Sequence, residues 1–333
     1  MNKLLPIIVA VVSAGGIAAS GCTVNNNNGG SDSGITGDDS SVGDDGGNTD
    51  TGVEVDSGNP DVEQEAATPS AFIRLANWSP DSPSTGYDFC VSAHGANSWQ
   101  GPQLAAATSS DAGGGLTLGF PTVTTYFEID AAAYDVEIVA GNATDCTTVV
   151  GTANTSIFAG GLTANSYYTL AIVGDTATAG SDPGVTTIGF QDDPAPTAGG
   201  VNLRFLNAAP EFNGTTTVDF GTGALGASSF VGLETSVAFA TLATSATSDA
   251  GTVDSNGYVS TAAFASATEF SAHTTTGGNT DTATVSGVTI AANTSATLIL
   301  INGKTGGAAA SFLVCQGDTT SSTTSLLSTC SAQ

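Results

Sequence analysis

One strand-forming segment occurs twice in this chain, and each copy carries an arginine among apolar residues. Phe72-Ile73-Arg74-Leu75-Ala76-Asn77 lies over Asn202-Leu203-Arg204-Phe205-Leu206-Asn207 at a shift of 130 residues. A later pair, Asn165-Ser166-Tyr167-Tyr168-Thr169-Leu170 over Asn293-Thr294-Ser295-Ala296-Thr297-Leu298, has a shift of 128. Near-equal shifts at the two ends of a unit indicate duplication. The 333 residues then divide into two similar units, 71–198 and 199–333, preceded by residues 1–70 of quite different composition.

Each unit reads as β structure. Residues 126–129 and 134–139 are rich in β-branched and aromatic residues. In the second of these, Tyr134, Val136 and Ile138 alternate with Asp135 and Glu137, which predicts one apolar face and one solvated acidic face. Residues 167–173 and 296–301 are denser apolar runs, as central strands require, and Gly174-Asp175 and Asn302-Gly303 end them with turn chemistry. Gly is abundant at 43, while straight-chain helix formers are scarce. Short strands separated by frequent turns predict an all-β chain of two tandem β-sandwiches.

The paired arginines narrow the reading further. The whole chain holds four Lys and Arg, and two of them occupy the same place in the two units. An arginine on an apolar strand is costly unless its guanidinium is met. Arg74 and Arg204 are therefore expected to pair with a carboxylate or with loop carbonyls and to lock one edge of each sandwich. Recognition of an anionic ligand is the competing reading. Asn77 and Asn207 close the same motif and count with the arginines as equivalent structural positions.

The first 70 residues carry the signs of export. Lys3 supplies a positive start, residues 4–19 form an apolar stretch too short for a membrane span, and Ala19-Ser20-Gly21-Cys22 follows. That tetrad resembles a lipobox. It predicts a signal peptide over residues 1–21 and a lipid on Cys22, with membrane attachment through the acyl chains. Thr23 rather than Asp after the cysteine favours the outer membrane by analogy with the enterobacterial sorting rule, on the cell surface or the periplasmic face. Residues 22–70 then read as a lipidated, acidic, disordered tether. Carboxylates run from Asp32 to Glu65, and residues 23–68 contain no aromatic residue, Lys or Arg to fold around. At ~5–6 Å × √n such a segment spans roughly 35–40 Å.

The formal net charge is −27, a value that repels nucleic acid and anionic surfaces. No nucleic-acid partner is expected, and general solubility explains the acidity better than a calcium array does. Of five cysteines, Cys22 is assigned to lipid, which leaves Cys90, Cys146, Cys315 and Cys330. In an oxidising compartment these form disulfides. Of the three possible connectivities the simplest is Cys90–Cys146 with Cys315–Cys330, worth ~4 and ~3 kcal/mol by loop entropy.

Catalytic chemistry is sparse. The sequence has neither a G-x-S-x-G elbow nor H-E-x-x-H. His94 and His273 lie in polar, Gly- or Thr-rich surroundings and read as exposed loop residues. Asn302-Gly303-Lys304-Thr305 ends like a phosphate loop, but Leu298 stands where the first Gly is required. Glu128, Asp130, Asp135 and Glu137 read as a solvated strand face rather than a glycosidase pair. No cofactor and no metal site are expected.

At the duplicated residues the chain resembles a bacterial family, the domain of unknown function 4397, found in tandem on secreted and surface lipoproteins. Ile73-Arg74-Leu75-Ala76-Asn77 with Ser79-Pro80-Asp81 carries the resemblance, together with Arg204-Phe205-Leu206-Asn207-Ala208-Ala209-Pro210, Tyr167-Tyr168-Thr169-Leu170 and the acidic link Gln191-Asp192-Asp193-Pro194. The resemblance spans roughly residues 71–333. It implies a pair of immunoglobulin-like β-sandwiches at the cell envelope and no assigned activity. The function expected is a binding, structural or adhesion module with an envelope polymer or surface protein as partner. An extracellular hydrolase acting on polysaccharide or peptide is the alternative.

Overall fold

The structure is a computed structural model that describes residues 68–108, 117–176, 184–192, 198–212, 216–224, 230–243, 251–274, 281–302, 310–316 and 330–332. Residues 1–67, with the expected signal peptide, Cys22 and most of the tether, lie outside the described residues. Lys304 does too.

The first half runs β1 (Ser70–Asn77), β2 (Tyr87–Ala93), the short helix α1 (Gln103–Thr108), β3 (Thr122–Val123), β4 (Phe127–Asp130), β5 (Tyr134–Ala140), β6 (Val149–Phe158), β7 (Tyr167–Val173) and β8 (Thr186–Asp192). β1 is central in one sheet. It pairs antiparallel with β3 and β4 on one side and parallel with β7 on the other, and β8 completes that sheet. The second sheet is β2-β5-β6. Alternate residues of the two sheets meet in one core: Ile73 and Leu75 of β1 and Leu170 and Ile172 of β7 face Phe89 of β2 and Val136 and Ile138 of β5.

The second half runs β9 (Gly200–Asn207), β10 (Val218–Thr222), β11 (Val231–Val237), β12 (Tyr258–Ala262), β13 (Thr268–Thr274), β14 (Asp281–Val288), β15 (Thr294–Ile301), β16 (Ser311–Gln316) and β17 (Ser331–Ala332). Its sheets are β12-β9-β15-β16-β17 and β11-β10-β13-β14. Here too the first strand is central and parallel to the seventh. Arg204 stands opposite Thr297 as Arg74 stands opposite Thr169. Stacked Phe205 and Phe220, with Phe270 and Phe312 beside them, fill this core.

The expected sandwiches are therefore present as two pairs of packed sheets. The strand order is their own: the first strand is flanked on both sides and runs parallel to one neighbour, whereas an immunoglobulin constant domain is ordered ABED and CFG. Small local features repeat as well. Asn165 and Asn293, just before the parallel strands, both take left-handed backbone, at φ 59° and 62°, which Asn tolerates better than most residues. Their amides donate to Ser70 and Gly200 carbonyls at 2.7 and 2.8 Å, fastening each parallel strand to the start of its partner.

The two sandwiches pack against each other through the outer faces of their parallel-paired sheets. Ala76, Trp78, Ala171, Val173 and Phe190 on the first meet Leu206, Ala208, Ile299, Ile301 and Leu313 on the second in a third apolar cluster. Strands β1, β7, β9 and β15 are thus buried on both sides, which explains why they read as continuous apolar runs rather than as alternating ones.

The acidic face expected on β5 is a correction. Asp135 and Glu137 are 1% and 3% exposed, so β5 is buried on both faces. Period-two alternation shows which residues share a face but not what covers it. Here the segment after β2 folds back: Val91 and Gln100 exchange backbone hydrogen bonds, and Gly101 sits so close that a Cβ would lie 2.9 Å from the Phe89 carbonyl. Glu128 and Asp130 lie on β4 in the other sheet, the first exposed and the second half-buried.

A second close approach occurs where β5 ends. A Cβ on Gly141 would stand 2.1 Å from the Thr85 carbonyl oxygen. Gly141→Ala is expected to destabilise the protein by about 1–3 kcal/mol. The measurement is a shift of the denaturant midpoint with unchanged m-value.

Candidate functional site

The charged residues converge at the junction of the two sandwiches. Asp192, the last residue of β8, is 5% exposed and lies between both arginines. Arg204 forms a short, charge-assisted bond to its Oδ1, and Arg74 approaches the same oxygen at 3.7 Å. The other carboxylate oxygen accepts from Tyr126 Oη at 2.7 Å and from Thr169 Oγ1 at 2.6 Å. Thr169 in turn accepts from Arg74 Nε at 2.8 Å. In the second sandwich Thr297 accepts from Arg204 Nε at 3.2 Å and from its Nη2 at 3.0 Å. Arg204 Nη1 donates to the Gln191 carbonyl at 2.9 Å and to that of Asn256 at 3.4 Å.

Aromatic faces complete the enclosure. The Arg74 guanidinium lies 4.9 Å from the Tyr126 ring centroid. That of Arg204 lies 4.2 Å from Phe190 and 4.5 Å from Tyr258. Tyr258 pairs with Arg204 across β9 and β12, and Tyr126 precedes the strand that pairs with β1, so each arginine has a tyrosine of its own from the neighbouring segment. Burial opposes ionisation of Asp192, but Arg74 and Arg204 outweigh it and hold its carboxyl below the usual range. Burial pushes the Tyr126 hydroxyl well above the ordinary phenol value, so it remains a donor.

Asn77 and Asn207 serve the strand ends. Each is fully buried. Asn77 Oδ1 accepts from Ser79 N at 3.0 Å and its amide donates to the Leu118 carbonyl at 2.7 Å. Asn207 accepts from Ala209 N at 3.2 Å and donates to the Phe212 carbonyl at 3.3 Å. Both are side-chain turns that lead the chain out of the sheet.

A gap in the neighbouring strand also recurs. β1 is paired below Arg74 by β4 and above Leu75 by β3, which leaves the Leu75 amide to Thr124 Oγ1 at 2.9 Å. In the second sandwich the equivalent Phe205 amide goes to Glu234 Oε2 at 3.2 Å. Glu234 is fully buried, and burial pushes its pKa up to about 9. Nothing in its sequence setting, Gly232-Leu233-Glu234-Thr235, announced a buried acid.

Both disulfides form in the expected pairing, Cys90–Cys146 and Cys315–Cys330. The sulfurs of the first lie within 4.8 Å of a Glu137 carboxylate oxygen. With those sulfurs bonded to each other the trio is not a metal-ligand set, because ligation needs thiolates. Burial raises the Glu137 pKa, and its Oε1 has no hydrogen-bond partner. Asp88, on the same face, accepts from the Phe89, Leu104 and Ala105 amides at 2.6, 2.9 and 2.9 Å and so caps α1.

His94 is exposed in the turn after β2, with Nδ1 2.6 Å from Asp135 Oδ1, while Gly95 N donates to Asp135 Oδ2 at 2.8 Å. Burial alone would raise the Asp135 pKa, but the Gly95 amide and His94 lower it. His273 corrects the loop reading. It lies on β13, its side chain 13% exposed, 3.4 Å from Asp219 and edge-on to Phe230. A cavity of about 20 Å³ in the first core is lined by apolar residues such as Ile73, Phe89, Val136 and Phe158. It has room for about one water and no polar group to hold one.

These features define a class: a two-sandwich all-β protein whose densest polar constellation joins its sandwiches. Residues 71–220 match the family described as Domain of unknown function (DUF4397), so the chain contains a domain of that family. The match spans the first sandwich and continues into β9 and β10 of the second. A search of curated proteins finds no match.

Asp192→Asn removes the carboxylate that both buried guanidiniums share and is expected to cost about 3–5 kcal/mol. With the wild-type carboxyl held low, its contribution is intact above the unfolded carboxylate pKa and lost only as pH falls through the lower folded value. Glu234 has the opposite sign. Its contribution is full below about pH 4.5 and declines as pH rises towards about 9, by up to ~1.4 kcal/mol per unit. Glu234→Gln should therefore be more stable than wild type at pH 8 and show no such gain at pH 4.5, as read by urea unfolding at both.

Proposed function

We propose that this chain is a lipid-anchored envelope protein whose two sandwiches act as one rigid binding or structural module. The observation that carries the reading is the shared Asp192 network. One carboxylate serves an arginine from each sandwich, so any slide or separation of the sandwiches breaks the bonds they share. A unit fixed in this way presents its loops in constant relative positions, and loops on a rigid scaffold are where such folds bind. The lipobox-like tetrad ending at Cys22 and the acidic residues after it supply the anchor and the spacer. The partner class is an envelope polymer or a surface protein.

The test begins with the anchor. Cells fed labelled palmitate should incorporate it into the wild-type protein and not into Cys22→Ser, and only the wild type should partition into detergent. Equal partitioning of the two, with an unmodified N-terminus by mass spectrometry, would remove the anchor. Protease added to intact cells then reports the face: loss of the protein places it outside, and full protection restricts it to the periplasm.

A further inference from the structure

We propose that Cys90–Cys146 is an exchangeable disulfide that reacts with external dithiols, and that Glu137 is its buried proton donor and acceptor. The inference goes beyond the binding reading and does not depend on the lipid anchor.

Three observations carry it. First, the two sulfurs are unequal in access. Cys90 lies on β2 and is fully buried, whereas Cys146 is partly exposed in the loop after β5 between exposed Asp145 and Thr147. An incoming thiolate thus meets Cys146, and Cys90 is the leaving group. Second, Cys90 and Glu137 are directly paired across β2 and β5. The Glu137 carboxylate lies within 4.8 Å of both sulfurs, within reach through a rotation or a single water. Third, Glu137 is 3% exposed and its Oε1 has no hydrogen-bond partner. A buried carboxylate oxygen without a partner is a cost that structure alone does not repay. Burial also raises its pKa, which enlarges the fraction that carries a proton to give. The second sandwich holds Gly221 opposite Ser271 at the matching register, so the duplicated scaffold does not require the pair.

The step balances as follows. The thiolate of a dithiol bonds to Cys146 Sγ as the Cys146–Cys90 bond breaks, and the electron pair leaves on Cys90 Sγ. Glu137 passes its proton to that sulfur and becomes a carboxylate. The second thiol of the dithiol, deprotonated to solvent, attacks the first sulfur of its own molecule in the mixed disulfide. This expels Cys146 as thiolate, which takes a proton from water, and Glu137 is reprotonated from solvent. The dithiol is oxidised to a disulfide and the protein disulfide is reduced to two thiols. In reverse, the Glu137 carboxylate takes the Cys90 proton and generates the attacking thiolate.

The test uses the full chain with dithiothreitol under native conditions, alkylation quenching and peptide mass spectrometry, so that Cys315–Cys330 serves as a control in the same molecule. Cys90–Cys146 should open in the folded protein, and Glu137→Gln should slow it about tenfold or more without changing the control bridge. Opening only after unfolding in denaturant, or equal rates in wild type and Glu137→Gln, overturns the proposal. A second arm needs no change at Glu137. Cys146 in the Cys90→Ser variant should form a mixed disulfide with oxidised glutathione at least tenfold faster than Cys90 does in Cys146→Ser. Equal capture of the two overturns the assigned order of attack.

Discussion

A single carboxylate between two guanidiniums sets the geometry on which the rest of this structure depends. Arg74 and Arg204 each project from the outer face of a sheet, where water would solvate them if the sandwiches were apart. Packed together, the sandwiches remove that water, and Asp192 supplies the only full negative charge that both arginines contact in the described network. Around that carboxylate the rings of Tyr126, Phe190 and Tyr258 turn their negative faces to the guanidiniums, and the Gln191 and Asn256 carbonyls accept from Arg204. Such a cluster contributes little net stability compared with an apolar interface of the same size. Its effect is on alignment. A slide of one sandwich across the other would preserve much of the apolar contact among Trp78, Phe190 and Ile299 but would break the shared bonds to Asp192.

The position of Asp192 explains how this works from within one chain. It ends the last strand of the first sandwich, and Arg204 lies in the first strand of the second. The connection is short, so the carboxylate is delivered to the second arginine by the link itself. The first arginine reaches the same carboxylate through the sheet, since Thr169 on β7 is opposite Arg74 and also donates to Asp192. The interface is asymmetric although its two arginines are equivalent: each has its own threonine and its own aromatic ring, and both share one acid.

The legible part of this architecture was whatever repeats at fixed spacing. An arginine in an apolar strand is conspicuous in a chain with four basic residues, and its recurrence at 204 revealed the unit length. An even set of four cysteines left three connectivities, and the simplest, one bridge within each unit, is the one that forms. What sequence could not show was the second layer of contacts. Asp192 was visible only as part of an acidic link, because its partners lie 118 residues before it and 12 after it. Asp135 and Glu137 alternate with apolar residues as solvated groups do, and their surroundings come from other segments: His94 and Gly95 meet Asp135, and Cys146 of the loop after β5 lies beside Glu137. His273 sits in a Thr-rich stretch that reads as loop until its register with Asp219 on β10 places it on a strand.

Comparison of the two sandwiches separates what the scaffold needs from what one copy adds. The arginine, its threonine, its aromatic ring, the buried asparagine turn and the left-handed asparagine occur in both, and all of them serve strand ends or the junction. Differences concentrate on the outer face of the other sheet. There Asp88 and Asp219 hold matching places, yet the first caps a helix while the second accepts from Ser236 N at 2.6 Å and faces His273. Cys90 and Glu137 are replaced by Gly221 and Ser271. The sheets that bear the arginines are sealed against each other and can vary little without separating the sandwiches. The opposite sheets do not face the other sandwich, so a buried acid beside a disulfide can arise in one copy without disturbing the other. Copy-specific chemistry in such a tandem belongs on those outer faces.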